Sequence, residues 1–141
     1  MGQKIGLDST NFIYLFERHP RYIAFIREVF SDIRDGRCDA LLSSIGLIEI
    51  MTGPKKVDRK DLAIKYQEQI THFPNLSIVT IDEQIIEYAS DFRAFYGLKT
   101  PDAVHIATAY SRQASYFLTN DRALKKVKEI PICMIEEYKK L

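Results

Sequence analysis

The sequence predicts an α/β domain built on a mostly parallel sheet with helices on both faces. Three observations predict it. Short apolar segments rich in β-branched residues alternate with stretches of helical periodicity along the whole chain. The residues between them, Gly, Pro, Asp and Ser, are those that start and stop helices. No internal repeat, low-complexity run or composition shift divides the 141 residues, so one domain over 1–141 is expected.

Lys4 to Leu7, ending at Asp8, reads as a buried strand, and Thr10 to Glu17 as a helix. Tyr22, Phe25, Ile26, Val29, Phe30 and Ile33 recur at helical spacing, a helix ended by Gly36. Asp39 to Leu42 is a second strand. Ser43 or Ser44 then caps a helix to about Thr52, closed by Gly53-Pro54. A basic connector, Lys55 to Lys60, leads into a helix from Arg59 to Phe73, stopped near Pro74. Leu76 to Ile81 is a strand. Asp82 caps a helix with the stripe Ile85, Tyr88, Ala89, Phe92 and Tyr96, ended by Gly97. Thr100-Pro101 reads as a cap followed by proline at the first helical position, opening a helix to about Arg112. Tyr116 to Leu118 is a fourth strand, Asp121 to Lys128 a short helix and Ile132 to Met134 a last strand.

Composition narrows the function. An apolar fraction of 46% with a net charge of +1 argues against disorder. A polyanionic partner would need a local basic patch, a metal, or both. The segment Met1 to Asp8 does not read as a signal peptide, and no apolar run approaches the ~18 residues of a membrane span. Cys38 and Cys133 read as small buried hydrophobes in a reducing compartment, so no disulfide, no membrane association and a cytoplasmic location are expected. Neither Cys nor His shows zinc spacing.

In a parallel sheet, ligands collect beyond the carboxyl ends of the strands. Asp8 ends the first strand and Asp121 follows the fourth. Glu49 lies in the middle of an apolar helix, and Asp102 opens a helix apolar on nearly every side. Each has a structural alternative. Asp8 and Asp121 could cap helices, Asp102 could be an ordinary first-turn acid, and Glu49 could pair with an Arg. These alternatives explain the acids singly, not their gathering at one sheet edge. Converging carboxylates raise one another's pKa values unless a cation intervenes. An all-oxygen set suits Mg²⁺ or Mn²⁺, whose chemistry with phosphate oxygens is phosphodiester hydrolysis.

At these residues the chain resembles the PIN-domain nucleases, in particular the VapC-type toxins of toxin–antitoxin pairs. The motifs are Leu7-Asp8-Ser9-Thr10 with Phe12-Ile13-Tyr14-Leu15, Ser43-Ser44 with Glu49, Thr100-Pro101-Asp102-Ala103-Val104-His105-Ile106-Ala107-Thr108-Ala109, and Leu118-Thr119-Asn120-Asp121-Arg122. The resemblance implies a three-layer α/β/α sandwich with a central sheet of four to five strands. It also implies an Mg²⁺- or Mn²⁺-dependent endoribonuclease acting on RNA, inhibited by a small antitoxin protein, and a homodimer. It carries the catalytic and metal-binding roles onto Asp8, Glu49, Asp102 and Asp121, and supporting roles onto Thr119 and Asn120. Many members have Asn two residues after the first acid. Here Thr10 stands there and Asn11 is shifted by one, so either side chain could support Asp8.

Lys99 and Arg122 are candidate substrate-phosphate contacts. Lys55, Lys56, Arg59 and Lys60, and Arg122, Lys125, Lys126 and Lys128, form local basic clusters. His105, one helical turn from Asp102, reads as a packing or supporting residue rather than a general base. Two other functions keep the fold: a stand-alone nuclease of RNA processing, and a non-catalytic RNA- or protein-binding module. An aspartyl-phosphate phosphatase is disfavoured, because position 10 is Thr where that chemistry needs a second Asp. No Gly-rich phosphate loop is present, so ATP use is not expected.

Overall fold

A computed structural model describes residues 2–139. Its strands are β1 (Gln3–Leu7), β2 (Cys38–Ser43), β3 (Leu76–Val79), β4 (Tyr116–Thr119) and β5 (Ile132–Met134). All neighbouring pairs are parallel, in the order β3-β2-β1-β4-β5. The helices are α1 (Ser9–Phe16), α2 (Ile23–Arg34), α3 (Ser44–Lys56), α4 (Lys60–Thr71), α5 (Glu83–Tyr96) and α6 (Thr100–Ser111).

Strand periodicity splits the core into two halves. Ile5, Leu7, Ala40, Leu42, Tyr116 and Leu118 face α1 and α2, where Phe12, Ile26, Val29 and Ile33 bury against them together with Ile50 and Ile70. Leu41 and Phe117 face the other way, toward Ile85 and Phe92 of α5 and Ile106 and Ala109 of α6. The result is the expected three-layer arrangement. Strands buried on both faces have to be apolar almost throughout, which is why the central segments lack clean alternation. Gly6 lies at a close approach of strand and helix: a Cβ there would stand 2.4 Å from that of Ala109. Glycine lets α6 settle directly on β1 and fixes the height of the residues at its amino end.

Several boundaries differ from the sequence reading. The third helix runs through Gly53-Pro54 to Lys56 rather than stopping at Thr52. Pro54 lies in its last turn, where it forfeits the bond to the Ile50 carbonyl and crowds it, and the helix ends two residues later. The chain leaves the helix at Asp58, whose φ is +59°, while the Arg59 amide returns to the Pro54 carbonyl at 2.9 Å. Lys99, not Thr100, occupies the cap position of α6, and Pro101 is its second residue. β3 ends at Val79, leaving Ile81 outside the sheet and partly exposed. The short helix after β4 is a 3₁₀ turn, Arg122–Lys126. Ser43 and Asp82 cap as expected, accepting from the Ile45 and Ile85 amides at 3.3 and 2.9 Å. Cys38 and Cys133 are buried free thiols. Among the described residues, no helix is long and apolar enough to cross a membrane.

Candidate active site

The chain builds β1, β2 and β3 outward in one direction, then returns to add β4 and β5 on the other side of β1. Strand order therefore reverses between β1 and β4, the position where open parallel sheets leave a crevice beyond their carboxyl ends. Leu7 pairs in register with Leu118 there, which brings Asp8 beside Thr119.

Asp8 is 7% exposed. It holds the cap position of α1, yet its side chain makes no capping bond. Instead, Oδ2 accepts from Thr119 Oγ1 at 2.7 Å and Oδ1 accepts from Asn11 Nδ2 at 3.0 Å. The Asn11 amide also donates to the Leu118 carbonyl at 3.0 Å, tying α1 to β4 through the acid. Burial pushes the Asp8 carboxyl up to about 6, against the opposing effects of His105 and of these bonds. Both donors are neutral, so burial prevails. Thr10, a candidate support, donates to neither Asp8 oxygen. At helical spacing a residue three positions on shares the face of Asp8 and one two positions on does not, so the role falls to Asn11.

Thr119 is fully buried, and its hydroxyl also accepts from the Asp121 amide at 3.1 Å. One hydroxyl thus fixes both Asp8 and the backbone of Asp121. The Asp121 side chain is exposed, and its Oδ1 caps the 3₁₀ turn by accepting from the Ala123 amide at 3.0 Å. Asp102 stands in the first turn of α6. Its carboxyl is raised by burial and by the nearby charges of Asp121 and Glu49, while His105 and Lys99 pull it down.

Glu49 is half-buried on α3 and has no Arg partner: its Oε1 meets His105 Nε2 at 2.6 Å. Burial raises its pKa, but the bond and charge of His105, helped by the Ser9 hydroxyl, outweigh that and leave it below its ordinary value. His105 therefore belongs to the acid cluster and joins α6 to α3. Its position three residues after Asp102 was the legible signal. Nothing in the sequence paired it with Glu49.

The remaining candidates divide. Asn120 touches no acid; its amide donates to the Tyr14 hydroxyl at 3.0 Å and holds the β4 loop against α1. The sequence placed it one residue from both Thr119 and Asp121 but could not say which way it turned. Lys99 is exposed at the mouth of α6, close enough to lower Asp102. Arg122 is exposed, and its charge reaches Glu137.

Among the described residues, no three His, Cys, Asp or Glu side chains close into a ready-made metal cage. The donor set nevertheless fits a hard divalent cation. Among the described residues, Asp8, Asp102 and Asp121 form no salt bridge with Lys or Arg. Asp8 and Asp102 are both held above their ordinary range by burial, against the opposing charge of His105. Carboxylate oxygens are the ligands such ions prefer.

The PIN domain model matches residues 5–130. The chain belongs to the PIN domain family. Solved structures share the fold over nearly the whole chain. VapBC of Salmonella typhimurium, bound to DNA, aligns with TM-score 0.75 at 21% identity, covering 96% of this chain and 99% of that one. VapBC-1 of nontypeable Haemophilus influenzae aligns with TM-score 0.74 at 18% identity, covering 94% and 98%. VapC20 of Mycobacterium tuberculosis, a sarcin-ricin loop cleaving toxin, aligns with TM-score 0.68 at 11% identity, covering 89% and 98%. No curated protein matches the sequence. At these identities the structural likenesses bear on the PIN fold, and the chemistry has to be argued from the residues of this chain.

Proposed function

We propose that this PIN domain is a metal-dependent endoribonuclease, the toxin of a toxin–antitoxin pair. The observation that carries the reading is Asp8: a buried carboxyl at the sheet's reversal point, raised to about 6, fixed by two neutral donors and paired with no Lys or Arg among the described residues. A structural acid in that position would be paired. This one is reserved for a ligand that brings the charge.

Asp8, Glu49, Asp102 and Asp121 would hold Mg²⁺ or Mn²⁺. The ion supplies Lewis-acid charge against a phosphodiester and lowers the pKa of a water nucleophile. Thr119 and Asn11 hold the Asp8 carboxylate in one orientation, and His105 does so for Glu49. Hydrolysis adds water to phosphorus and breaks one ester P–O bond, leaving a phosphate end and a hydroxyl end. Lys99 beside Asp102 is suited to an entering phosphate, with Arg122 on the same edge as a second contact. Elsewhere basic residues are partly neutralised: Arg59 is held by Asp61 at 3.0 Å and Lys125 by Glu137 at 2.9 Å. Backbone contacts are therefore expected near the acids rather than along those clusters.

RNA is favoured as substrate by the sarcin-ricin loop cleaving relative. An antitoxin is favoured by the VapBC complexes and by an apolar cleft of about 370 Å³ in this chain. That cleft lies between α1, α3 and α4 and is lined by Ile13, Phe16, Ile50, Val57 and Tyr66, with Glu49 also in its wall. An amphipathic helix with a terminal basic side chain would fill the cleft and neutralise the acids. A homodimer belongs to the same reading, with Ile48, Ile86 and Phe95 as exposed apolar surface for a second copy.

The test is cleavage of RNA by purified protein with Mg²⁺ or Mn²⁺. Asp8→Asn and Asp102→Asn should abolish it with the fold intact. No cleavage by the wild type together with no metal binding would leave a non-catalytic module.

A further inference from the structure

We infer that His105 is a positioning residue that holds Glu49 in the orientation needed for metal ligation. The inference deepens the metal-dependent reading and rests on it. His105 is 3% exposed on a helix whose other buried residues are Ala103, Val104, Ile106, Ala107, Thr108 and Ala109. A packing role there calls for an aliphatic side chain of similar volume. An imidazole instead loses its hydration and needs partners for two nitrogens. It has one: Nε2 meets Glu49 Oε1 at 2.6 Å, while Nδ1 is buried with no partner among the described residues. Helix α6 thus buries a half-satisfied polar ring, and the only bond it gains is to a proposed ligand.

The direction of that bond follows from the acceptor. An ionised Glu49 carboxylate can only accept, so Nε2–H donates. The donation occupies Oε1 and leaves Oε2 for an ion. Together with the Ser9 hydroxyl it limits rotation of a side chain that is 34% exposed beside the neighbouring cleft. Because α6 carries both His105 and Asp102, seating α6 on β1 through Gly6 sets two acids at once, one directly and one through the imidazole. Partners that orient a metal's ligands in this way typically contribute 10- to 100-fold in affinity.

The experiment is calorimetric titration of Mn²⁺ into the full-length protein and its variants, with thermal unfolding of each metal-free variant as a fold check. His105→Leu, which keeps the packing and removes the donor, should weaken Mn²⁺ by roughly 10- to 100-fold. His105→Gln, whose amide can reach the Nε2 position, should stay within about threefold of wild type. His105→Asn, which places its amide near Nδ1 instead, should fall with the Leu variant. In a Glu49→Ala background, His105→Leu should cause no further loss, because the group it positions is gone. Wild-type affinity in folded His105→Leu would overturn the inference. So would an equal further loss in the Glu49→Ala background, which would make His105 a packing residue. If His105→Leu fails to fold, equal affinities for the Gln and Asn variants overturn it instead. Absence of Mn²⁺ binding by the wild type is a separate result, and sinks the metal-dependent reading itself.

Discussion

Replacing Asp8 by Asn should make the metal-free protein more stable while abolishing cleavage. The Asp8 carboxyl titrates at about 6 in the folded chain, against 3.8 for the unperturbed group. Between those values the unfolded chain has released the proton and the folded chain has not. The folded state then binds more protons, and stability falls as pH rises. A shift of this size amounts to about 3 kcal/mol, fully developed above pH 7 and absent below pH 4. Asn carries no charge and so escapes that cost. The gain is reduced by the amide, which can accept from Thr119 or Asn11 but not from both in the manner of a carboxylate. A net stabilisation of about 1–3 kcal/mol at pH 7.5 is expected. The assay is urea unfolding of wild type and variant in EDTA across pH 4–8. The two should converge at the acid end and separate between pH 4 and 7. Mn²⁺ at about a thousandfold excess over Kd should reverse the order, since only the wild type gains binding energy, about 4.1 kcal/mol. A variant no more stable than wild type at pH 7.5 in EDTA, or a difference independent of pH, would refute the reasoning.

Thr119→Val removes one hydroxyl of a fully buried side chain and thereby both the Asp8 bond and the acceptor for the Asp121 amide. A 10- to 100-fold loss of cleavage is expected, measured as initial rates on a fixed RNA. Gly6→Ala brings a methyl group within 2.4 Å of Ala109 Cβ and should cost about 1–3 kcal/mol of unfolding free energy, recovered in part by Ala109→Gly. Lys99→Ala should raise KM for RNA more than it lowers kcat, with metal affinity unchanged; an unaltered KM would remove Lys99 from the substrate path. Tyr138→Phe deletes the 2.7 Å bond to Asp32 at the opposite end of the sheet. It should lower stability by about 1–2 kcal/mol in urea and leave cleavage untouched.

The fold was legible because its signals are local. Gly36 and Gly97 end their helices in the left-handed region, with φ of +79° and +67°, and Asp82 caps where the sequence placed a cap. Pro54 misled because a proline in the last turn of a helix and one just beyond it look alike in sequence. The acids were legible as anomalies in apolar company. Their supports were not, because support is a matter of direction. Thr10 and Asn11 differ by one residue, and only the start of α1 at Ser9 decides that Asn11 shares the face of Asp8. Asn120 lies between two site residues yet turns to Tyr14, which belongs to a different element. The bond between Glu49 and His105 joins residues on separate helices, so no periodicity within either helix could reveal it.

Two buried aspartates at opposite ends of the sheet carry opposite shifts, and the contrast bears on the role proposed for Asp8. Asp32 and Asp8 are both nearly inaccessible, at 3% and 7% exposure, and burial is the largest influence on each. Asp32 receives Arg37 at 2.6 Å, Lys139 at 3.2 Å and the Tyr138 hydroxyl at 2.7 Å, and its carboxyl falls below the ordinary value. Asp8 receives a threonine hydroxyl and an asparagine amide, and its carboxyl rises. Asp8 lies deeper in the protein, and Asp32 has more donors, two of them cationic, so the two shifts take opposite signs. An arginine within reach of Asp8 would stabilise the metal-free fold and occupy the oxygens an incoming cation needs. Neutral donors orient the carboxylate without satisfying its charge. The chain thus gives Asp32, at the amino ends of the strands, two cations and leaves Asp8, at their carboxyl ends, without a Lys or Arg, the condition under which a divalent ion gains the most by binding.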